Sequence, residues 1–155
     1  MIRVQQKRFN VGSEINKFLS KNCNSGAVSS FVGQARDFQY NEQKEKSRVN
    51  FLEIEHYPRM VEKEINRIIL QAQSRWSINE VLVIHRYGLI KPGEEIVLIC
   101  TSSDHREESF KSCNFIIDFI KTQAPFWKYE YSENEKKQVV NNQSDKDKPE
   151  AWLEE

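Results

Sequence analysis

The stretch Thr101–Tyr131, TSSDHREESFKSCNFIIDFIKTQAPFWKYEY, constrains the fold more than any other part of the chain. Its spacing predicts one long helix. Ser103 or Asp104 stands where an N-cap belongs, and Glu107 stands where the acid of a capping box would follow Asp104. Phe110, Cys113, Ile117, Ile120 and Ala124 recur at helical spacing, and Pro125 ends the run. His105 and Arg106 fall in the first turn, where free backbone N–H groups favour an anion. Lys121 falls in the last turn, and Lys128 follows beyond Pro125-Phe126-Trp127. At 1.5 Å per residue, His105 and Lys121 are about 24 Å apart. No small substrate reaches both ends of one copy, so a site using both clusters must join two chains.

The rest of the chain must supply a sheet for that helix. Ile2, Val4 and Gln5 suggest a short strand. Val11–Asn22 reads as a helix capped by Ser13, with Ile15, Phe18 and Leu19 on its apolar face. Gly26–Gly33 is a strand between glycines. Gln34-Ala35-Arg36-Asp37 leads into a polar loop through Lys46, which reads as mobile and without a core. Val49–His56 alternates as a strand. Pro58 opens a helix to about Trp76, with Val61, Ile65, Ile68, Ile69, Ala72 and Trp76 on one face. Val81–His85 and Glu95–Thr101 are strands of buried type. Between them Gly88 breaks the chain, Leu89-Ile90 starts a short strand and Lys91-Pro92-Gly93-Glu94 turns it. Phe126–Tyr131 is a strand, with Gln138–Val140 as a pairing partner. Two strand pairs look hairpin-like, and the order lacks a strict βαβ rhythm. The expected class is α+β with a mostly antiparallel sheet. Residues 1–140 read as one domain and residues 141–155 as a polar tail, with Trp152 and Leu153 available to anchor its end.

Composition excludes several function classes. Lys+Arg and Asp+Glu number 23 each, so no global field draws nucleic acid or an anionic membrane, and any anion site must be a local cluster. No segment approaches a membrane span, and the opening MIRVQQKRFN lacks the apolar core of a leader. Cys23, Cys100 and Cys113 are an odd set without CxxC spacing, which fits a reducing cytoplasm rather than a disulfide framework or zinc site. No histidine pair has metal-ligand spacing, and neither a metal nor a cofactor is expected.

Each candidate residue has a plain reading beside a chemical one. Lys121, on a stripe with Lys111, Asn114 and Asp118, is either a solvated helix face or an amine placed beside Lys128 by the aromatic APFW turn. His105-Arg106 is either an exposed helix start or an oxyanion or phosphate site. Arg36 is a basic residue on a strand-end loop. His56 and His85 sit at strand ends and read as packed or hydrogen-bonded. Cys113 falls on an apolar helix face, which disfavours a Cys–His nucleophile. Phe115, Ile116 and Phe119 widen the long helix's apolar surface. That surface is buried either by the chain's own domain or at a subunit interface.

Five stretches together resemble the large, catalytic subunit of molybdopterin synthase. They are GAVSSFVGQARDF (26–38), LEIEHYPRM (52–60), RWSINEVLVIHRYGLIKPGEE (75–95), TSSDHR (101–106) and FIKTQAPFWKYE (119–130). The resemblance implies an α/β-hammerhead fold and a central homodimer. A small ubiquitin-like sulfur-carrier protein would bind at each end, giving a heterotetramer. The carrier's C-terminal Gly-Gly thiocarboxylate would enter the site, and two carriers would deliver two sulfurs to cyclic pyranopterin monophosphate, forming the dithiolene of molybdopterin. By position, Lys121 and Lys128 match the family's essential lysines. Arg36, with Gln34 and Ala35, matches a substrate-lining loop. His105 and Arg106 match the basic pair contributed across the dimer, and Tyr129 and Glu130 follow in the pocket wall. Three features depart from the pattern: the acid at Asp104, Asn142 where many members carry arginine, and the charged Gln39–Lys46 loop. Two rival readings are a non-catalytic module that docks a ubiquitin-like tail and an RNA- or nucleotide-binding α+β domain.

Overall fold

A computed structural model of the chain describes residues 1–40, 46–132, 136–139, 149 and 151–152. Among these the order is β1 (Ile2–Gln5), α1 (Val11–Lys21), β2 (Ala27–Gln34), β3 (Phe38–Tyr40), β4 (Lys46–Arg48), β5 (Phe51–His56) and α2 (Pro58–Arg75). Then come β6 (Glu80–Arg86), β7 (Gly88–Ile90), β8 (Glu95–Ser103), α3 (Arg106–Gln123), β9 (Phe126–Tyr131) and β10 (Lys136–Val139). The expected single sheet is in fact two four-stranded sheets. The first has the order β1-β6-β8-β2, with only the β1–β6 pair parallel. The second, β10-β9-β5-β7, is antiparallel throughout.

Alternation on β6 and β8 explains why both central strands read as continuous apolar runs. Leu82, Ile84, Leu98 and Cys100 point to one face, where they pack with Phe9 and Phe18 beside α1. Val81, Val83, Val97 and Ile99 point to the other, under the apolar faces of α2 and α3. A strand covered on both sides loses the apolar–polar alternation of a half-exposed one. The second sheet has a smaller core of Ala35, Leu52, Ile54 and Ile90.

The long helix forms where expected, with corrections at its start and on its face. Its N-cap is His105, which makes no side-chain cap bond. Asp104 does not cap, because its carboxylate accepts from Asn79 Nδ2 at 2.9 Å. Ser103 closes the turn instead: its hydroxyl accepts from the His105 N–H at 3.4 Å and lies 2.8 Å from Glu108. Glu107 pairs with Lys111 at 3.1 Å, so there is no Asp104–Glu107 capping box. Phe110 is not on the buried face and is 66% exposed. Phe115, Ile116 and Phe119 are buried within the chain itself, which answers the question their width posed. Phe115 packs between Trp76, Phe119 and Trp152, and Trp152 donates its indole N–H to Asp118 at 3.1 Å.

Hydroxyls dock the helix start on the first sheet. The Thr101 hydroxyl donates to the Ser109 carbonyl at 2.8 Å. The Ser109 hydroxyl lies 3.0 Å from the Thr101 carbonyl and 2.8 Å from Ser29 Oγ. All three residues are buried, and these bonds satisfy groups that would otherwise be stranded away from water.

Smaller corrections follow the same physics. Asn10, not Ser13, caps α1, accepting from the Ser13 N–H at 2.8 Å. Leu19 is 45% exposed and leaves the apolar face to Phe18 and Ile15. The segment read as a loop carries a two-stranded ladder, Phe38–Tyr40 against Lys46–Arg48. Residues 41–45, Val140, Asn142 and Leu153 lie outside the described residues. Among the described residues, no helix is long and apolar enough to cross a membrane.

Phe115, 1% exposed, is the largest side chain in the fully buried core. Phe115→Ala is expected to lower unfolding free energy by about 3–5 kcal/mol, read as a lower urea midpoint at unchanged slope.

Candidate active site

Pro125 creates the site. α3 ends at Ala124, whose extended backbone cannot continue the helix before proline, and Phe126 N–H donates to the Ala124 carbonyl at 2.7 Å. The chain therefore passes straight from the last turn of α3 into β9. Lys121 and Lys128, on either side of that corner, line one cavity of about 770 Å³. Alternation along β9 places Phe126, Lys128 and Glu130 on the cavity side. Tyr129, expected in the pocket wall, is not among the lining residues. Its ring carries the Lys136 ammonium 4.4 Å from its centroid.

The opposite wall is the end of β2. Gln34, Ala35 and Arg36 all line the cavity. The β2–β8 register shifts at Gly33/Gln34, a bulge that bends the strand end. At Gly33 a Cβ would come within 2.7 Å of Val97 Cγ1, so glycine permits this close approach. Beyond the bulge, Ala35 is tied to the β7–β8 turn on both sides. Its N–H donates to the Glu94 carbonyl at 2.9 Å, and its carbonyl accepts from Gly93 N–H at 2.8 Å. Gly93 sits at φ +81°, a conformation that favours glycine.

That turn is anchored by a cluster of charges. Arg86, 4% exposed, pairs with the Glu94 carboxylate at 3.1 Å and donates to the Glu95 carbonyl at 3.0 Å. Arg8 grips Glu95 with two bonds of 3.1 and 3.0 Å. The hydrogen bond from Arg8, opposed by burial, holds the Glu95 carboxyl below its ordinary range. Glu94 also lies below that range, because Arg86 and neighbouring donors outweigh its burial.

The cavity is mixed in character. Ile117, Ile120 and Ala124 of α3, with Val97 and Leu52, give it apolar walls. Arg36, Lys121 and Lys128 bring cations from three different elements. Glu130 is the acid among them, and burial raises its pKa against the opposing pull of Arg36 and Lys137. His85 also lines the cavity, a residue read from sequence as packed or hydrogen-bonded. The ring is indeed packed, stacked on Phe126 with centroids 3.7 Å apart and planes 15° apart. Its Nδ1 lies 2.8 Å from the Arg86 carbonyl. Burial, reinforced by the charge of Lys128, pushes its pKa down to about 3. Its position at the end of a buried strand gave no hint that the ring edge reaches an open cavity.

His105 and Arg106 are exposed and lie outside this cavity, at the far end of α3. One chain brings together Gln34, Ala35, Arg36, Lys121, Lys128 and Glu130, and leaves His105, Arg106 and Tyr129 out. Cys100 and Cys113 are buried away from the cavity, and burial raises their thiols to about 12 and about 11. Among the described residues, no group of three or more His, Cys, Asp or Glu side chains is placed to hold a metal ion.

Residues 4–123 match the MoaE protein family. The molybdopterin synthase catalytic subunit of Pseudomonas aeruginosa is 40% identical over 153 residues, covering 99% of each chain. A solved MoaE protein of molybdopterin biosynthesis from Burkholderia ambifaria superposes with a TM-score of 0.79 at 33% identity, over 99% of this chain and 97% of that one. Molybdopterin synthase from Staphylococcus aureus gives 0.78 at 25% identity, over 90% and 96%. The shared fold bears out the expected α+β class with largely antiparallel pairing.

Two outcomes follow from the buried groups. Because the His85 pKa is depressed in the folded state, the unfolded chain binds the extra proton between its ordinary value of 6.5 and about 3. Stability is then full above about pH 6.5 and falls as pH drops through that window. Urea midpoints measured from pH 8 to pH 5 should decline, and less steeply in His85→Phe. The thiols report on burial separately. At pH 8, a disulfide reagent should label Cys23 quickly in the native protein and all three cysteines only after denaturation.

Proposed function

The chain belongs to the MoaE family, and from that premise we propose that it is the catalytic subunit of a molybdopterin synthase. It takes sulfur from the C-terminal thiocarboxylate of a small ubiquitin-like carrier and transfers it to cyclic pyranopterin monophosphate, forming the molybdopterin dithiolene. The supporting observation is the cavity that gathers Arg36, Lys121 and Lys128 from the segment after β2, from α3 and from β9 between apolar walls.

The chemistry fits that arrangement. The substrate's phosphate is anionic, and in a chain of balanced charge only a local cluster attracts it. Attack on the pterin side chain and release of the carrier both build negative charge on oxygen. Cations already fixed in a partly dry cavity stabilise such charge without reorganising. Gln34 and Ala35 present the strand end along which an extended carrier tail lies. The sulfur arrives on the carrier, so Cys100 and Cys113 remain inert thiols.

His105 and Arg106 belong to the same site only if they come from a second copy. In one chain they stand at the first turn of the 18-residue helix α3, and Lys121 stands in its last turn. Exposed Phe110, in the helix turn beside them, and exposed Val32, on the cavity-lining strand β2, give a second copy apolar surface to cover. The functional unit is therefore a homodimer, each half binding one carrier. Light scattering at micromolar concentration should return twice the 18.4 kDa chain mass.

The test of function is reconstitution with a thiocarboxylated carrier and cyclic pyranopterin monophosphate, followed by assay of the dithiolene product. Wild type should turn over. Lys121→Ala and Lys128→Ala should each lose about 10²-fold or more in kcat while remaining folded. A non-catalytic docking module predicts the opposite, carrier binding with no product and no sensitivity to Lys121.

A further inference from the structure

His85 is a buried titratable group that the chemistry above leaves unused, yet it forms part of the cavity wall. Three observations define its state. Its Nδ1 lies 2.8 Å from the Arg86 carbonyl, and a carbonyl only accepts, so Nδ1 carries the proton. Its ring lies flat on Phe126, 3.7 Å between centroids, which fixes the ring plane. Lys128 stands two residues beyond Phe126 on β9, on the same side of the strand and lining the same cavity. In this tautomer Nε2 is left with a lone pair. We infer that His85 offers this lone pair to the Lys128 ammonium, making His85 a positioning residue for that cation. The inference rests on the sulfur-transfer reading for its consequence, though not for its geometry.

The electrostatics agree with the geometry. A protonated imidazole here would repel Lys128, and burial together with the lysine's own charge keeps His85 neutral far below neutral pH. The other ring close by, His56, is itself held below its ordinary pKa by burial, so it adds no competing cation at neutral pH. A neutral imidazole accepting from an ammonium makes a charge-assisted bond, the stronger kind. Lys128 ends a flexible four-carbon stem, and one fixed acceptor reduces the directions its charge can take. Phe126 thus has two tasks, turning the chain into β9 and holding the ring that aims the lysine two positions on.

The test uses the full-length dimer with the carrier and pterin substrate. His85→Phe keeps a flat ring against Phe126 but removes the acceptor. It should remain folded, lose about 10²-fold in kcat and keep its pterin KM within about twofold. His85→Gln, whose amide reaches toward the former Nε2, should recover part of the loss. Imidazole ¹⁵N spectra supply a readout that a purely structural role would not move. The chain has three histidines, so His85→Phe assigns the His85 signals by their disappearance. At neutral pH the ring should show a protonated Nδ1 and a pyridine-type Nε2. The Nε2 signal should move downfield in Lys128→Met, where its donor is gone. Wild-type kcat in folded His85→Phe, or an Nε2 signal unmoved by Lys128→Met, would overturn the inference. An inactive wild type would instead sink the sulfur-transfer reading and leave the spectra to decide the role of His85.

Discussion

The face-to-face contact between His85 and Phe126 is the joint on which the site depends. His85 belongs to the first sheet and Phe126 to the second, and Phe126 packs against both apolar cores. The cavity opens where the two sheets meet. Loosening this contact would let β9 swing, and Lys128 and Glu130 would swing with it. Offset and edge-to-face aromatic pairs contribute about 0.5–1.5 kcal/mol beyond their buried area, and a nearly face-to-face pair no more than that. That is modest for global stability, but the contact acts at the one place where it sets side-chain direction.

The opposite wall is set by charge rather than by stacking. Arg86 follows His85 on β6 and points elsewhere, into Glu94 and Glu95. Those acids sit at the β7–β8 turn that hydrogen-bonds both sides of Ala35. One dipeptide, His85-Arg86, therefore supports both walls, one through Phe126 and one through the turn that places Arg36. A buried ion pair is not in itself a large source of stability, since desolvation offsets most of the attraction. Its value here is geometric. Removing one partner would strand a buried charge and release the segment that bears the cavity-facing Arg36.

Much of this was legible in the sequence, and the losses have physical reasons. The buried strands and the helices α1, α2 and α3 follow from apolar spacing, and Pro125 marks the end of α3 correctly. Spacing alone could not tell whether Phe115, Ile116 and Phe119 face another subunit or the chain itself. Trp152, far away in sequence, decides it by packing on Phe115. Phe110 fits the helical stripe but falls outside the buried arc, because the helix start is docked through Ser109 and Thr101 hydroxyls instead. The caps sit a few residues from where spacing alone puts them: Asn10 acts rather than Ser13, and Ser103 acts without Asp104. Tyr129's place outside the cavity follows from strand alternation, which turns it away where it turns Lys128 and Glu130 inward. The paired lysines and the Gln34–Arg36 loop were visible as motifs. Their meeting in one cavity needed both sheets and the bulge at Gly33/Gln34.

We propose that one chain holds only part of the site and that a second copy completes it with His105 and Arg106. The most direct measurement is complementation between two inactive variants. Lys121→Ala and Arg106→Ala, each inactive as a homodimer, are co-expressed with different tags, and the doubly tagged dimer is purified and assayed with carrier in excess. One of its two sites then has both wild-type halves. A shared site predicts activity of about half of wild type per mixed dimer. A mixed dimer that is folded, dimeric and as inactive as its parents would contradict the account.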